Sequence, residues 1–131
     1  MSNYYEDNNG KEQLRPMIRA DFENCIIYGS IESEVGIESS ANALFDFKFN
    51  HCLMKLEKSD YELSNTNYFE GNLFNESPKF IQTMSAYEYN YELDSLSPAI
   101  NSGRSSTAYQ FRKDFYGNSR LSDEGPDIGA F

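Results

Sequence analysis

Shifted along itself by 27 residues, the chain lays Phe22-Glu23-Asn24-Cys25-Ile26-Ile27-Tyr28 over Phe49-Asn50-His51-Cys52-Leu53-Met54-Lys55. Phe falls on Phe and Cys on Cys, while Ile26 and Ile27 fall on Leu53 and Met54. The spacing lies within the range of about 20 to 50 residues that marks stacked repeats. One such unit is a short strand that cannot bury its apolar side alone. Stacking the next unit in register, about 4.8 Å away, buries a column of like residues. Asn24 reads as a turn residue between two faces, because Asn tolerates left-handed backbone geometry and bonds neighbouring main chain. Gly29-Ser30 then ends the strand. Between the copies, residues 33–42 are polar and read as a loop. Ala43 to Phe49 alternates as a strand does, with Phe45, Phe47 and Phe49 on one face.

The length of 131 residues suits one domain and is too short for two independent cores. Residues 1–20 read as a polar, mobile N-terminal segment and residues 21–131 as a single folded domain. Twenty-one acidic against eleven basic residues give a formal charge of -10. That charge repels phosphate backbones and leaves no basic stripe, so nucleic acid and anionic membranes are excluded as expected partners. No run approaches the roughly 20 apolar residues of a membrane span. Met1 to Asp7 lacks a basic start and an apolar core, so the chain as given carries no export signal.

Three blocks near the end, Ser97-Pro98-Ala99-Ile100-Asn101-Ser102-Gly103, Asp114-Phe115-Tyr116-Gly117-Asn118-Ser119-Arg120 and Pro126-Asp127-Ile128-Gly129-Ala130-Phe131, stand in an order that resembles a known family. Together with Ser77-Pro78-Lys79-Phe80-Ile81 and Tyr91-Glu92-Leu93, they are similar to the C-terminal region of secreted or surface-anchored right-handed parallel β-helix proteins of Bacteroidetes, the pectate-lyase-like (pectin lyase-like) solenoids. The resemblance spans Asp21 to Phe131. It implies an all-β fold: the last few coils of a right-handed parallel β-helix closed by an irregular C-terminal cap. Only two or three coils are present, and fewer than about three repeats need caps or partners. By resemblance the protein is extracellular or at the cell surface. The expected function is a non-catalytic terminal or capping segment of an exported protein, with polysaccharide as candidate partner. Two alternatives stay open: a fragment of a polysaccharide lyase or glycoside hydrolase with its catalytic coils elsewhere, and a docking segment that pairs with upstream coils or a partner chain by strand addition.

Cys25 and Cys52 hold the same place in the two copies, and read first as a buried thiol ladder that packs as small apolar groups. A disulfide fits less well, because stacked side chains point the same way whereas a disulfide torsion is near about 90°. Reactivity is the third reading. Two cysteines and one adjacent histidine fall short of a four-ligand zinc site. His51 is the only histidine, and nothing local supplies it with a nucleophile and an orienting carboxylate. The clustered aspartates or Gly-His-Gly of polygalacturonase-like hydrolysis are absent, as is a basic residue beside an acidic calcium site. No catalytic residue, metal or cofactor is therefore expected. Asp114, Arg120 and Asp127 read as an ion-paired clasp in which one guanidinium bridges two carboxylates. Tyr87, Tyr89 and Tyr91 carry the strongest functional suggestion. Period-two spacing sends all three phenols to one side of a strand, where they either stack on sugars or continue the core.

Overall fold

The computed structural model describes residues 1–131. In chain order its elements are β1 (Tyr4–Glu6), β2 (Glu12–Leu14), β3 (Asp21–Glu23), β4 (Ile26–Ile27), β5 (Lys48–Asn50), β6 (Leu53–Met54), β7 (Phe69–Glu70), β8 (Leu73–Phe74), β9 (Phe80–Gln82), β10 (Asn90–Leu93) and α1 (Ser105–Gln110), with one 3-10 turn at Lys58–Asp60. Two parallel sheets of three strands, β3-β5-β7 and β4-β6-β8, form the centre. Phe22 pairs with Phe49 and Phe49 with Phe69, while Ile26 pairs with Leu53 and Leu53 with Leu73. The 27-residue offset seen in the sequence is thus the register of the first step, and like residues stack. The rings of Phe22 and Phe49 lie 4.7 Å apart at 17°, and those of Phe49 and Phe69 lie 6.0 Å apart at 6°.

Left-handed residues turn each strand of the first sheet into its successor in the second: Asn24 (φ 52°), His51 (φ 51°) and Gly71 (φ 62°). Gly71 is needed twice over at this corner. Its φ favours glycine, and a Cβ there would lie 2.7 to 2.8 Å from the His51 ring. Where the backbone ladder breaks, asparagines complete it. The Asn72 side chain accepts from Cys52 N at 2.8 Å and donates to Phe49 O at 3.0 Å, and Asn75 bonds both the N–H and the carbonyl of Leu56 at 2.9 Å.

Alternation along β6 splits the apolar side chains between two clusters. Cys52 and Met54 join Phe47, Phe49, Leu56, Phe69 and Val35 in the main core, whereas Leu53 points the other way, onto Ala99 and Ile128 of the C-terminal segment. The N-terminus is fastened as well: β1 and β2 form an antiparallel hairpin, and the fully buried Asn3 donates to Ser40 O and Ala43 O at 2.9 Å and accepts from Ser40 N at 2.7 Å.

This architecture corrects the expected one. Apart from isolated bridges at Ser2–Glu38 and Met17–Phe45, parallel pairing is confined to two small sheets of two- and three-residue strands, β1-β2 and β9-β10 are antiparallel pairs, α1 is helical, and no sheet closes or curls into a solenoid. The spacing also fails to repeat: Phe22 to Phe49 is 27 residues, but Phe49 to Phe69 is 20. Past Phe74 the chain does not return to the stack. It pairs β9 with β10 and lays irregular chain over Leu53 instead. The protein is therefore not the last coils of a right-handed parallel β-helix, and the pectin lyase-like, solenoid resemblance to Bacteroidetes surface proteins is not sustained. The functions attached to it, a capping segment, a fragment beside catalytic coils or a docking coil, lose their architecture.

Phe49, 2% exposed at the centre of the ring column, should be the most costly side chain to truncate. Phe49→Ala is expected to lower unfolding stability in urea by about 3 to 5 kcal/mol. Met84→Ala, at a residue 92% exposed, should change it by less than about 0.5 kcal/mol. Equal losses would mean that the column does not hold the fold.

Candidate functional site

β10 carries the tyrosine segment and pairs antiparallel with β9 through Asn90 opposite Gln82 and Leu93 opposite Phe80, with an irregularity between the two pairs. Tyr89 and Tyr91, two residues apart, fall on one side and stack with centroids 5.9 Å apart at 15°. They are 55% and 50% exposed. The Phe80 ring meets Tyr91 edge-on at 5.3 Å and 90°, which fixes the inner member of the pair. Tyr87 precedes the strand, holds a left-handed φ of 69° and is 97% exposed. The structure therefore brings Tyr89 and Tyr91 together and leaves Tyr87 apart, because the left-handed residue breaks the alternation.

Next to this pair lies a second aromatic group that spacing does not reveal. Phe115, Tyr116 and Phe131 contact one another with centroids 5.5 to 5.6 Å apart. The Tyr116 hydroxyl donates to Glu92 at 2.6 Å and so joins this group to β10. That hydrogen bond, with burial and the Glu92 charge added, raises the Tyr116 phenol above its ordinary range. Between the two aromatic groups runs an apolar groove of about 350 Å³, lined among others by Cys25, Ile26, Phe80, Tyr91, Ile128 and Phe131. Glu92 and Tyr116 stand 24 residues apart and Tyr91 and Phe131 farther, so no local pattern points to their meeting. The only sequence signal is that Phe115, Tyr116 and Phe131 belong to the second and third terminal blocks.

The remaining residues singled out by sequence serve as follows. Asn24 is the first left-handed corner; its side chain accepts from Arg104 N at 2.6 Å and donates to Arg104 O at 3.2 Å. Beside it, Glu23 takes an ion pair from Arg104 and a hydrogen bond from the Thr107 hydroxyl, which pins α1 against β3. His51 bonds Asn50 Oδ1 at 2.7 Å and packs on Gly71. Cys25 and Cys52 are free thiols, half-buried and buried respectively.

Arg120 does tie the chain end, but to carbonyls: its Nη1 donates to Gly129 O at 2.9 Å and its Nε to Lys113 O at 3.1 Å. It takes part in none of the three ion pairs. Asp114 instead closes its own turn, accepting from Asn118 N at 2.7 Å and Asn118 Nδ2 at 2.9 Å, and Asp127 accepts from Asn101 N at 2.8 Å. That last bond, with Gly103 N donating to Pro126 O and Ile128 N to Ala99 O, joins the first terminal block to the third. Gly103 permits it, since a Cβ there would come within 2.8 Å of the Pro126 and Asp127 carbonyls.

No three His, Cys, Asp or Glu side chains converge as a metal site, and no helix is long and apolar enough to cross a membrane. No protein-family model, no curated protein and no solved structure matches the chain.

The two aspartates should titrate on opposite sides of the ordinary range. Burial pushes Asp114 up, but hydrogen bonds from Asn118, Tyr116 and Gly117 outweigh it and lower the carboxyl. Burial dominates at Asp127 and raises it, with Asp123 adding to the effect. The stability contributed by Asp114 is present above its unfolded value and lost as pH falls through its lowered folded value. That of Asp127 is present at low pH and lost as pH rises through its raised one. Carboxyl NMR titration should place Asp114 below Asp127; the reverse order would contradict this account of the terminal turns.

Proposed function

We propose that the chain is a non-catalytic binding protein that recognises uncharged polysaccharide on the surface formed by Tyr89 and Tyr91. The observation that carries this reading is the stacked, half-exposed tyrosine pair, with the Phe80 edge behind it. An aromatic plane offers a sugar a dry face for its C–H surface, while polar neighbours bond its hydroxyls. The phenol hydroxyls of Tyr89 and Tyr91 themselves supply such polar groups at the edge of the aromatic face. Because Tyr91 is fixed from behind, little conformational freedom is lost on binding. The preference for an uncharged glycan follows from the net charge of -10 and from Glu88 and Glu92 in the same segment, which repel uronic acid or sulfate groups at low salt.

The test is affinity electrophoresis through native gels containing neutral or acidic polysaccharides. The parent chain should be retarded by at least one neutral polysaccharide. Tyr89→Ala should weaken retention by about fivefold or more, the effect of losing a contact worth over about 1 kcal/mol, with the unfolding midpoint unchanged. Absence of retardation in every gel, or equal retardation of parent and variant, would remove the tyrosine pair as a binding surface.

A further inference from the structure

Cys25 and Cys52 stand abreast on neighbouring parallel strands. Ile26 pairs with Leu53, and Leu53 N donates to Cys25 O at 2.9 Å, so the residues before that pair are adjacent. Neighbouring strands lie about 4.7 to 4.9 Å apart, and Cα separations of about 4.4 to 6.8 Å are within reach of a disulfide. Both side chains pack into the main core, and each thiol donates to a backbone carbonyl of the first pass, Cys25 to Glu23 O and Cys52 to Phe22 O, both at 3.3 Å.

Their surroundings differ in a way that assigns different roles. Cys25 is half-buried and lines two openings, the apolar groove beside Tyr91 and a more polar one formed with Asp21, Glu23 and Thr107. Cys52 has no exposed surface. Its Sγ lies 3.3 Å from Phe22 O, and its strand neighbour β6 is paired on both sides. The strands flanking Cys25, β3 and β4, pair on one side only and Cys25 lines two openings, so its side chain has room to turn out of the in-register stack to the torsion that a disulfide needs.

We propose that Cys25 and Cys52 are a peroxide-oxidisable dithiol, with Cys25 as the attacking thiol and Cys52 as the resolving one. The Cys25 sulfur attacks one oxygen of hydrogen peroxide and the O–O bond breaks. The departing hydroxide takes a proton and leaves as water, and Cys25 becomes a sulfenic acid. The Cys52 sulfur then attacks the Cys25 sulfur, an S–S bond replaces the S–O bond, and the second hydroxide leaves as water with the Cys52 proton. Two thiols lose two electrons and one peroxide is reduced to two waters. The order of attack matches the acidities. The adjoining Cys52 thiol lowers Cys25 below the ordinary thiol value against the opposing pull of burial, while the Cys25 neighbour and burial push Cys52 up.

The folded, reduced protein treated with hydrogen peroxide should lose two hydrogens in intact mass, stay monomeric on a non-reducing gel and return to the starting mass with dithiothreitol. Cys52→Ser should stop at a sulfenic acid on Cys25 that dimedone traps, and Cys25→Ser should leave Cys52 unmodified. Should either variant fail to fold, timed alkylation of the wild-type protein with peptide mapping tests the same assignment: Cys25 should react about tenfold or more faster than Cys52. Two thiols that survive peroxide, a gain of oxygen without loss of hydrogens, or equal alkylation of both cysteines would overturn the proposal.

Discussion

Two sheets of two- and three-residue strands can share a core only if the chain bends between them at the same point in each pass. Three left-handed residues, Asn24, His51 and Gly71, make that bend. An ordinary residue pays roughly 1 to 2 kcal/mol for this conformation, whereas Gly and Asn pay less. His51 is the costly member, and its surroundings hold it: Asn50 Oδ1 bonds its ring, and the missing Cβ of Gly71 leaves the ring its space. With the corners aligned, Phe22, Phe49 and Phe69 stack on one side and Ile26, Leu53 and Leu73 on the other. The juxtaposition of Cys25 and Cys52, each next to its corner residue, has the same origin.

The corner also explains how the C-terminal half attaches. At Asn24 the main-chain carbonyl accepts from Gly129 N at 2.9 Å, and the side chain bonds Arg104 on both its N–H and its carbonyl. The first pass of the stack is therefore bound by irregular chain and α1 on this side. Leu53 is sealed by Ala99 and Ile128, which gives the β4-β6-β8 sheet apolar cover on both faces. Short strands with few ladder bonds depend on such cover, since side-chain burial must supply what the backbone pairing does not.

The first step of the stack was legible in the sequence because like residues sit on like, and Asn24 because Asn is one of the few residues that favours its backbone geometry. The second step was hidden. Its offset is 20 residues, and the corner and its neighbour change from His51-Cys52 to Gly71-Asn72. Extending the terminal blocks to a solenoid failed because those blocks encode turns and close approaches, such as Gly103 on Pro126 and Asp127 on Asn101. Such contacts are compatible with more than one way of pairing the strands around them. Arg120 was open to misreading for a related reason: a guanidinium fits carbonyls as readily as carboxylates, and nothing in the spacing distinguishes the two. For the tyrosines, alternation held from Tyr89 to Tyr91 and stopped at Tyr87, where the backbone turns left-handed.

Tyr91 and Cys25 line the same apolar groove, although one belongs to the antiparallel pair and the other to the parallel stack. The groove exists because β4 ends its sheet on that side, leaving a free edge that β10 approaches without pairing to it. An exposed edge ordinarily invites association with another chain. Here Phe80, Tyr91, Leu93, Ile128 and Phe131 stand around it, and Gly129 takes up the Asn24 carbonyl. Tyr89 lies outside this lining and Cys52 is buried behind it. The glycan reading thus depends most on a residue that the thiol chemistry does not touch, and the thiol chemistry on one that no sugar reaches, so the two proposals stand or fall separately.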